Sequence, residues 1–226
     1  ASDVYKRQRL RLLSDGAITG GSGANDVSLE FASGQSNNMA SEGAQLRYDN
    51  SNGKLHISTT YNSSDADIRF YTRTGALDSE SNLRMNIMGD GYIMTPSQPS
   101  FRATKSGSTF NTGGGTVVFD QNQHNTGSNY NTSNGRFTAP CDGVYYFIAT
   151  LQMYGGSSTV HARFQKNGVD VYNNGTNTPY YDEKHSAHAN LQPFCLVELS
   201  TDDYVECVRN GNTRGMQSAM IGFLVR

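Results

Sequence analysis

The sequence has no tryptophan, only five prolines and only three cysteines in 226 residues. Charged side chains make up 17% of it and the formal net charge is −2. Without a cationic excess, no basic face for nucleic acid stands out. Hydrophobic residues reach 35%, against ~45–50% apolar in an average globular chain. No apolar run approaches the ~20 residues of a spanning helix, so membrane insertion is not expected. A coiled coil and a large helical enzyme are excluded on the same grounds. Cys141, Cys195 and Cys207 are an odd number with no CxxC spacing. Neither a disulfide framework nor a zinc site is expected, and the three are read as small buried hydrophobes.

What the chain has in abundance is turn chemistry. Glycine, serine, asparagine and threonine together supply 88 of the 226 residues. Thirteen tyrosines and ten phenylalanines remain to build a core, so the polarity does not mean disorder. Scattered aromatics among turn formers predict an all-β chain. The first residues are a separate matter. Asp3-Val4-Tyr5-Lys6-Arg7-Gln8 is the translation of GAT GTG TAT AAG AGA CAG, a transposase adapter of shotgun sequencing. Residues 1–8 are therefore read as an adapter scar on a metagenomic sequence and set aside. An upstream region is expected to be missing.

Residues 9–98 alternate in short runs: Leu29 and Phe31 around Glu30, Leu46 and Tyr48 around Arg47, Leu55 and Ile57 around His56, Ile68 and Phe70 around Arg69, and Leu83, Met85 and Ile87 around Arg84 and Asn86. Side chains alternate across a strand, so each run has one apolar and one polar face. Asp15-Gly16, Asn52-Gly53 and Asp90-Gly91 suit tight hairpin turns between them. Each strand has only two or three apolar residues to bury. At ~25 cal/mol per Å2 such a strip matches poorly the ~1–2 kcal/mol per residue of backbone ordering. Several identical chains would merge their strips into one dry core. The expectation is a trimeric β stalk, either a prism or a triple β-helix; a small independent sandwich is the alternative. The absence of a Gly-X-Y period excludes collagen.

After Pro96 and Pro99, strands lengthen and become more aromatic. Asn134-Gly135, Asp142-Gly143, Asn167-Gly168, Asn174-Gly175 and Asn210-Gly211 separate nine or so strand-like runs, which suits a two-sheet jelly roll. The runs 144–154 and 218–225 are nearly apolar throughout, as strands covered on both faces are. Their second face is a candidate subunit interface. Phe137-x-x-Pro140-x-x-Gly143-x-Tyr145-x-Phe147 resembles the signature of the C1q-like globular head. Ser100-Phe101-Arg102-Ala103 resembles its opening strand, Lys166-Asn167-Gly168 its hairpin, and Leu199–Val205 its Leu-x-x-Gly-Asp-x-Val turn, with Asp202 in place of the glycine. Gly222-Phe223-Leu224 resembles the closing strand, with Met220 where an aromatic is usual. The resemblance implies a ten-stranded jelly roll over residues 99–226, compact trimers and chain termini together at the base. Phe101, Phe137, Tyr145, Phe147, Phe223 and Val225 are the candidates for core and trimer packing. Tyr145 is expected to hydrogen-bond through its hydroxyl.

Leu83–Met94, with its strand, Asp-Gly turn, strand and proline-marked junction, resembles the shafts of phage tail fibres. The combined expectation is an adhesive, non-enzymatic protein: the distal part of a phage tail fibre. It would be located in the virion, with a homotrimeric tip that binds a host cell-surface glycan or protein and an upstream part joined to other tail proteins. The alternatives are a secreted C1q-like lectin or matrix protein and, third, a glycan depolymerase. The segments 154–159, 173–188 and 210–217 are expected as loops at the end far from the base, the middle one as the main contact. Tyr154, Tyr172, Asn173, Asn177, Tyr180, Tyr181, Asp182, Glu183, His185 and Arg214 are the candidate receptor-binding residues. Tyrosine covers apolar sugar faces while amides pair with hydroxyls. His185-x-x-His188 beside two acids is weak as a metal motif. No cofactor is expected; calcium, with Asp182, Glu183, Asp202 and Asp203 as the available carboxylates, is the alternative. No Walker loop, H-E-x-x-H or G-x-S-x-G occurs, so no catalytic residue is assigned.

Overall fold

The computed structural model describes residues 27–32, 43–49, 53–59, 66–72, 82–107, 110–111, 113–154, 159–171, 181–185, 188–210, 212–214 and 218–226. The chain divides into two compact units, Ala1–Thr95 and Pro96–Arg226. The first holds β1 (Val27–Ala32), β2 (Gly43–Asp49), β3 (Lys54–Thr59), β4 (Ile68–Tyr71), β5 (Leu83–Ile87) and β6 (Ile93–Met94). They form two three-stranded antiparallel meanders, β1-β2-β3 and β4-β5-β6. The Asp90-Gly91 turn works as expected. Gly91 takes φ +95 and its N–H bonds to Met88 O at 2.9 Å, closing the β5–β6 hairpin. Asp67 ties the second meander, accepting from Asn86 Nδ2 at 2.8 Å and from the Arg69 guanidinium.

The second unit begins with β7 (Ser100–Thr104), β8 (Phe110–Asn111), β9 (Gly115–Thr116), β10 (Gln121–Asn125), β11 (Tyr130–Asn131), β12 (Arg136–Thr138) and β13 (Gly143–Tyr154). It continues with β14 (Thr159–Lys166), β15 (Val169–Asp170), β16 (Tyr181–His185), β17 (His188–Leu191), β18 (Phe194–Leu199), β19 (Tyr204–Arg209), β20 (Asn212–Arg214) and β21 (Ala219–Leu224). One sheet runs β10-β7-β21-β13, with β17 and β18 completing the far side of β13. The other runs β11-β12-β19-β14, with β15 and β16 on the outer edge of β14. Counting β17 and β18, which keep one register along β13 across Gln192-Pro193, as one strand, this is the expected ten-stranded jelly roll with short additions.

Alternation explains the core. On β13, Tyr145, Phe147, Ala149, Leu151 and Met153 are buried, while Val144, Tyr146, Ile148 and Thr150 are not fully so. The buried set meets Phe137, Val160, Ala162, Phe164, Val205 and Cys207 of the facing sheet. Phe101 stacks on Tyr130 at 4.5 Å and on Phe137 at 5.3 Å, and Phe137 meets the edge of Phe147 at 5.4 Å. A Cβ at Gly222 would fall 2.5 Å from the rings of Phe101 and Phe147, so the closing strand reaches them only because it carries glycine there. Met220 is fully buried, filling the aromatic's place. Cys195 and Cys207 are buried, Cys141 partly so, and all three are free.

Several sequence expectations need correction. Tyr181–His185 is not loop but strand β16, because β14 offers it an edge to pair with. Asn212–Arg214 is likewise strand, laid against Met153–Tyr154. The polar run 121–125 escaped notice because it lacks an apolar face; it is an edge strand paired only with β7. Of the candidates for core and trimer packing, Phe223 and Val225 lie outside the chain's own core, which leaves them the trimer half of that expectation. They are 40% and 47% exposed, on the opposite face of the sheet from Phe101 and Phe147.

Candidate functional site

The base of the jelly roll is fixed by its ends. Leu224 N–H bonds to Pro99 O at 3.0 Å and Val144 N–H to Arg226 O at 2.8 Å, so the two termini of this unit lie together as expected. The signature residues are spent here. Gly143 passes against the carboxyl-terminal backbone, where a Cβ would sit 2.8 Å from Arg226 O. Tyr145 donates its hydroxyl to Cys141 O at 2.8 Å, and burial pushes that hydroxyl's pKa up. The neighbouring turn holds Asp202 at φ +71, a left-handed conformation that favours glycine and that aspartate tolerates better than most residues. Asp203 accepts from Lys166, Asn167 and the Ser200 N–H, which lowers its pKa to about 2. This carboxylate closes a turn between β18 and β19. Among the described residues no group of three metal-ligating side chains gathers.

The far end of the unit is where β13 finishes. Tyr154 pairs with His188 on one side and with Asn212 on the other, and Thr159 pairs with His185. Tyr154 and His185 therefore belong to this end, as the sequence suggested. Tyr181, Asp182 and Glu183 do not: they run down the outer edge of the second sheet, opposite Arg163, Ala162 and His161. Arg214 stands opposite Phe110 on the first sheet. Tyr172, Asn173, Asn177 and Tyr180 lie outside the described residues. Their flanks, Val171 and Tyr181, sit at the level of Phe164 and Arg163, partway down β14 and not at its far end.

The outward face of the second sheet is polar and ordered. Arg136, Glu206, Gln165 and Asp170 form one cross-strand row. Arg136 pairs with Glu206 at 3.1 Å and lies 4.1 Å over the Tyr204 ring. Arg163 and Gln165 each reach Asp170 at 2.7 Å. Burial pushes the Asp170 carboxyl up, but these two bonds outweigh it and its pKa is lowered. The row thus stiffens the sheet beside β16 and leaves few unspent polar groups of its own.

The outward face of the first sheet is the opposite in character. Phe223, Tyr146 and Leu196 form one row, and Ile221, Ile148 and Phe194 the next. Phe194, Leu196, Ile221, Phe223 and Val225 are 38–60% exposed, and the Tyr146 ring lies 5.5 Å from Phe223 and 6.4 Å from Phe194. Tyr146, Ile148, Phe194, Leu196 and Ile221 were not singled out from the sequence. Their signal was present in the apolar runs 144–154 and 218–225, whose second face was expected to meet another subunit.

The C1q domain family matches residues 100–225. Similar solved structures include the globular domain of zebrafish complement 1qA protein, at 15% identity over 57% of this chain and 98% of that one, with a TM-score of 0.47. Eiger TNF from S. frugiperda matches at 9% identity over 57% and 94%, TM-score 0.42, and murine APRIL at pH 5.0 at 8% over 57% and 99%, TM-score 0.43. No curated protein sequence matches. With more than half its length matched, the chain belongs to the C1q domain family.

Proposed function

We propose that the protein is a homotrimeric adhesin: the distal part of a phage tail fibre, whose head binds a bacterial surface glycan or protein. C1q-family domains form homotrimers and act as binding modules. The observation that carries the trimer is the apolar double row on the first sheet, which a lone chain leaves open to water. A contiguous apolar patch of this kind marks an interaction site. The tail-fibre reading is supported by the resemblance of Leu83–Met94, with its Asp90-Gly91 turn and the prolines that follow, to the end of a fibre shaft. No helix among the described residues is long and apolar enough to cross a membrane. Receptor contact is assigned to the far end around Tyr154 and His185, and to the β16 edge with Tyr181, Asp182 and Glu183. Three such sites on one head multiply weak contacts into avidity.

Light scattering after size exclusion tests the assembly. A mass of three chains is expected, and a folded monomer would overturn the reading. Adsorption of the labelled trimer to a panel of bacterial cells, with competition by their purified surface polysaccharide, then separates a glycan receptor from a protein one. Release of reducing sugar ends from that polysaccharide would favour a depolymerase instead.

A further inference from the structure

The first meander, β1-β2-β3, exposes the wrong face for a sheet that works alone. Its register stacks apolar residues in rows: Leu29 opposite Leu46 opposite Ile57, and Val27 opposite Tyr48 opposite Leu55. Glu30, Gln45, Arg47, His56 and Ser58 occupy the alternate positions, on the other face. In the single chain Leu46, Leu55 and Ile57 are 41%, 64% and 54% exposed, while His56 and Ser58 on the polar face are half-buried. The second meander shows it in part, with Ile68, Met85 and Ile87 half-buried and Leu83 buried. Ile68, Ile87 and Ile93 share a row, Phe70 and Met85 the next, and Phe70 and Ile93 are 44% and 64% exposed.

We infer that these faces are a second, separate interface between copies of this chain, in which the apolar rows of three N-terminal units close on one another. The inference rests on the homotrimer reading of the head. A trimeric head, joined covalently to each N-terminal unit, holds three identical apolar faces at a local concentration on the order of millimolar. The rows are also narrow, two or three apolar residues per strand, which suits burial against two like faces better than a core within one chain. The order of events follows: head assembly comes first and raises the concentration that closes the N-terminal faces.

The test uses the full chain with Cys141 replaced by serine. Ile57→Cys places a thiol on the apolar face, and Lys54→Cys places one at an exposed position on the opposite face of the same strand. With a short bis-maleimide, Ile57→Cys is expected to give covalently linked chains at least tenfold more efficiently than Lys54→Cys. Equal linking from both, or none from Ile57→Cys in a trimeric chain, would overturn this interface alone. A monomeric parent chain would overturn it together with the head trimer. Hydrogen exchange over residues 43–59 is the second readout. It is expected to rise at least tenfold in an Ile221→Asp/Phe223→Asp variant, whose head cannot assemble, and no change there would overturn the proposed order.

Discussion

Single residues in the head are spent on close approach and on charge. Gly222 lets the closing strand lie against two rings, so Gly222→Ala forces a methyl group into Phe101 and Phe147. Overpacking of this kind costs ~1–3 kcal/mol, and thermal unfolding should register it as a lowered midpoint with the trimer retained. Phe137→Ala empties the centre of the ring cluster and is expected to cost ~3–5 kcal/mol. Asp203 yields a pH prediction. Its pKa is about 2 in the fold, held there by Lys166, Asn167 and the Ser200 N–H, against an ordinary 3.8. A depressed carboxylate stabilises the fold above its unfolded pKa, and that contribution fades as pH falls from 3.8 towards 2. The unfolding midpoint should therefore drop across this window, and Asp203→Asn should flatten the drop while lowering stability at neutral pH. A titration of the unfolding midpoint for both proteins checks the sign.

At the scale of elements, β13 decides most of the head. One face of this strand carries Tyr145, Phe147, Ala149, Leu151 and Met153 into the core, and the other presents Tyr146 and Ile148 to the surface between β18 and β21. Ile221→Asp/Phe223→Asp puts charges on the outward face alone. The expected result is a folded monomer, with native circular dichroism and one third of the parent mass by light scattering. On β16 and the segment before it, Tyr180→Ala/Tyr181→Ala is expected to reduce adsorption to host cells and leave the trimer intact; loss of the trimer would refute the assignment of this edge to the receptor. β13 and β21 were readable from the sequence as nearly apolar runs, and β14 and β19 by an apolar face at period two. Strands β10 and β16 were not readable. Their residues are polar throughout or mixed, and they are strands only because a neighbouring edge offers them hydrogen bonds.

For the whole molecule, the three-fold assembly proposed above would bring avidity. Three weak sites on one rigid head raise apparent affinity by ~100-fold or more without any new contact. The monomeric Ile221→Asp/Phe223→Asp head should therefore bind cells at least that much more weakly while each of its binding edges remains folded. Surface binding compared at matched site concentration measures this ratio.

The sequence alone determined the all-β class, the C1q-like jelly roll of residues 100–225 and most of its core. These depend on local quantities: side-chain period, turn residues and the spacing of Phe137, Gly143, Tyr145 and Phe147. It also showed that strands 144–154 and 218–225 have two apolar faces, but not which of those faces the chain covers by itself. Only the tertiary structure decided that Phe101 and Phe147 turn inward while Phe223 and Val225 stay outside. Only the tertiary structure moved Tyr181, Asp182 and Glu183 from a distal loop to a lateral sheet edge. The reason is the same in both cases. A strand's pairing partner and the side it buries are settled by residues distant in the chain, and no local pattern carries that information.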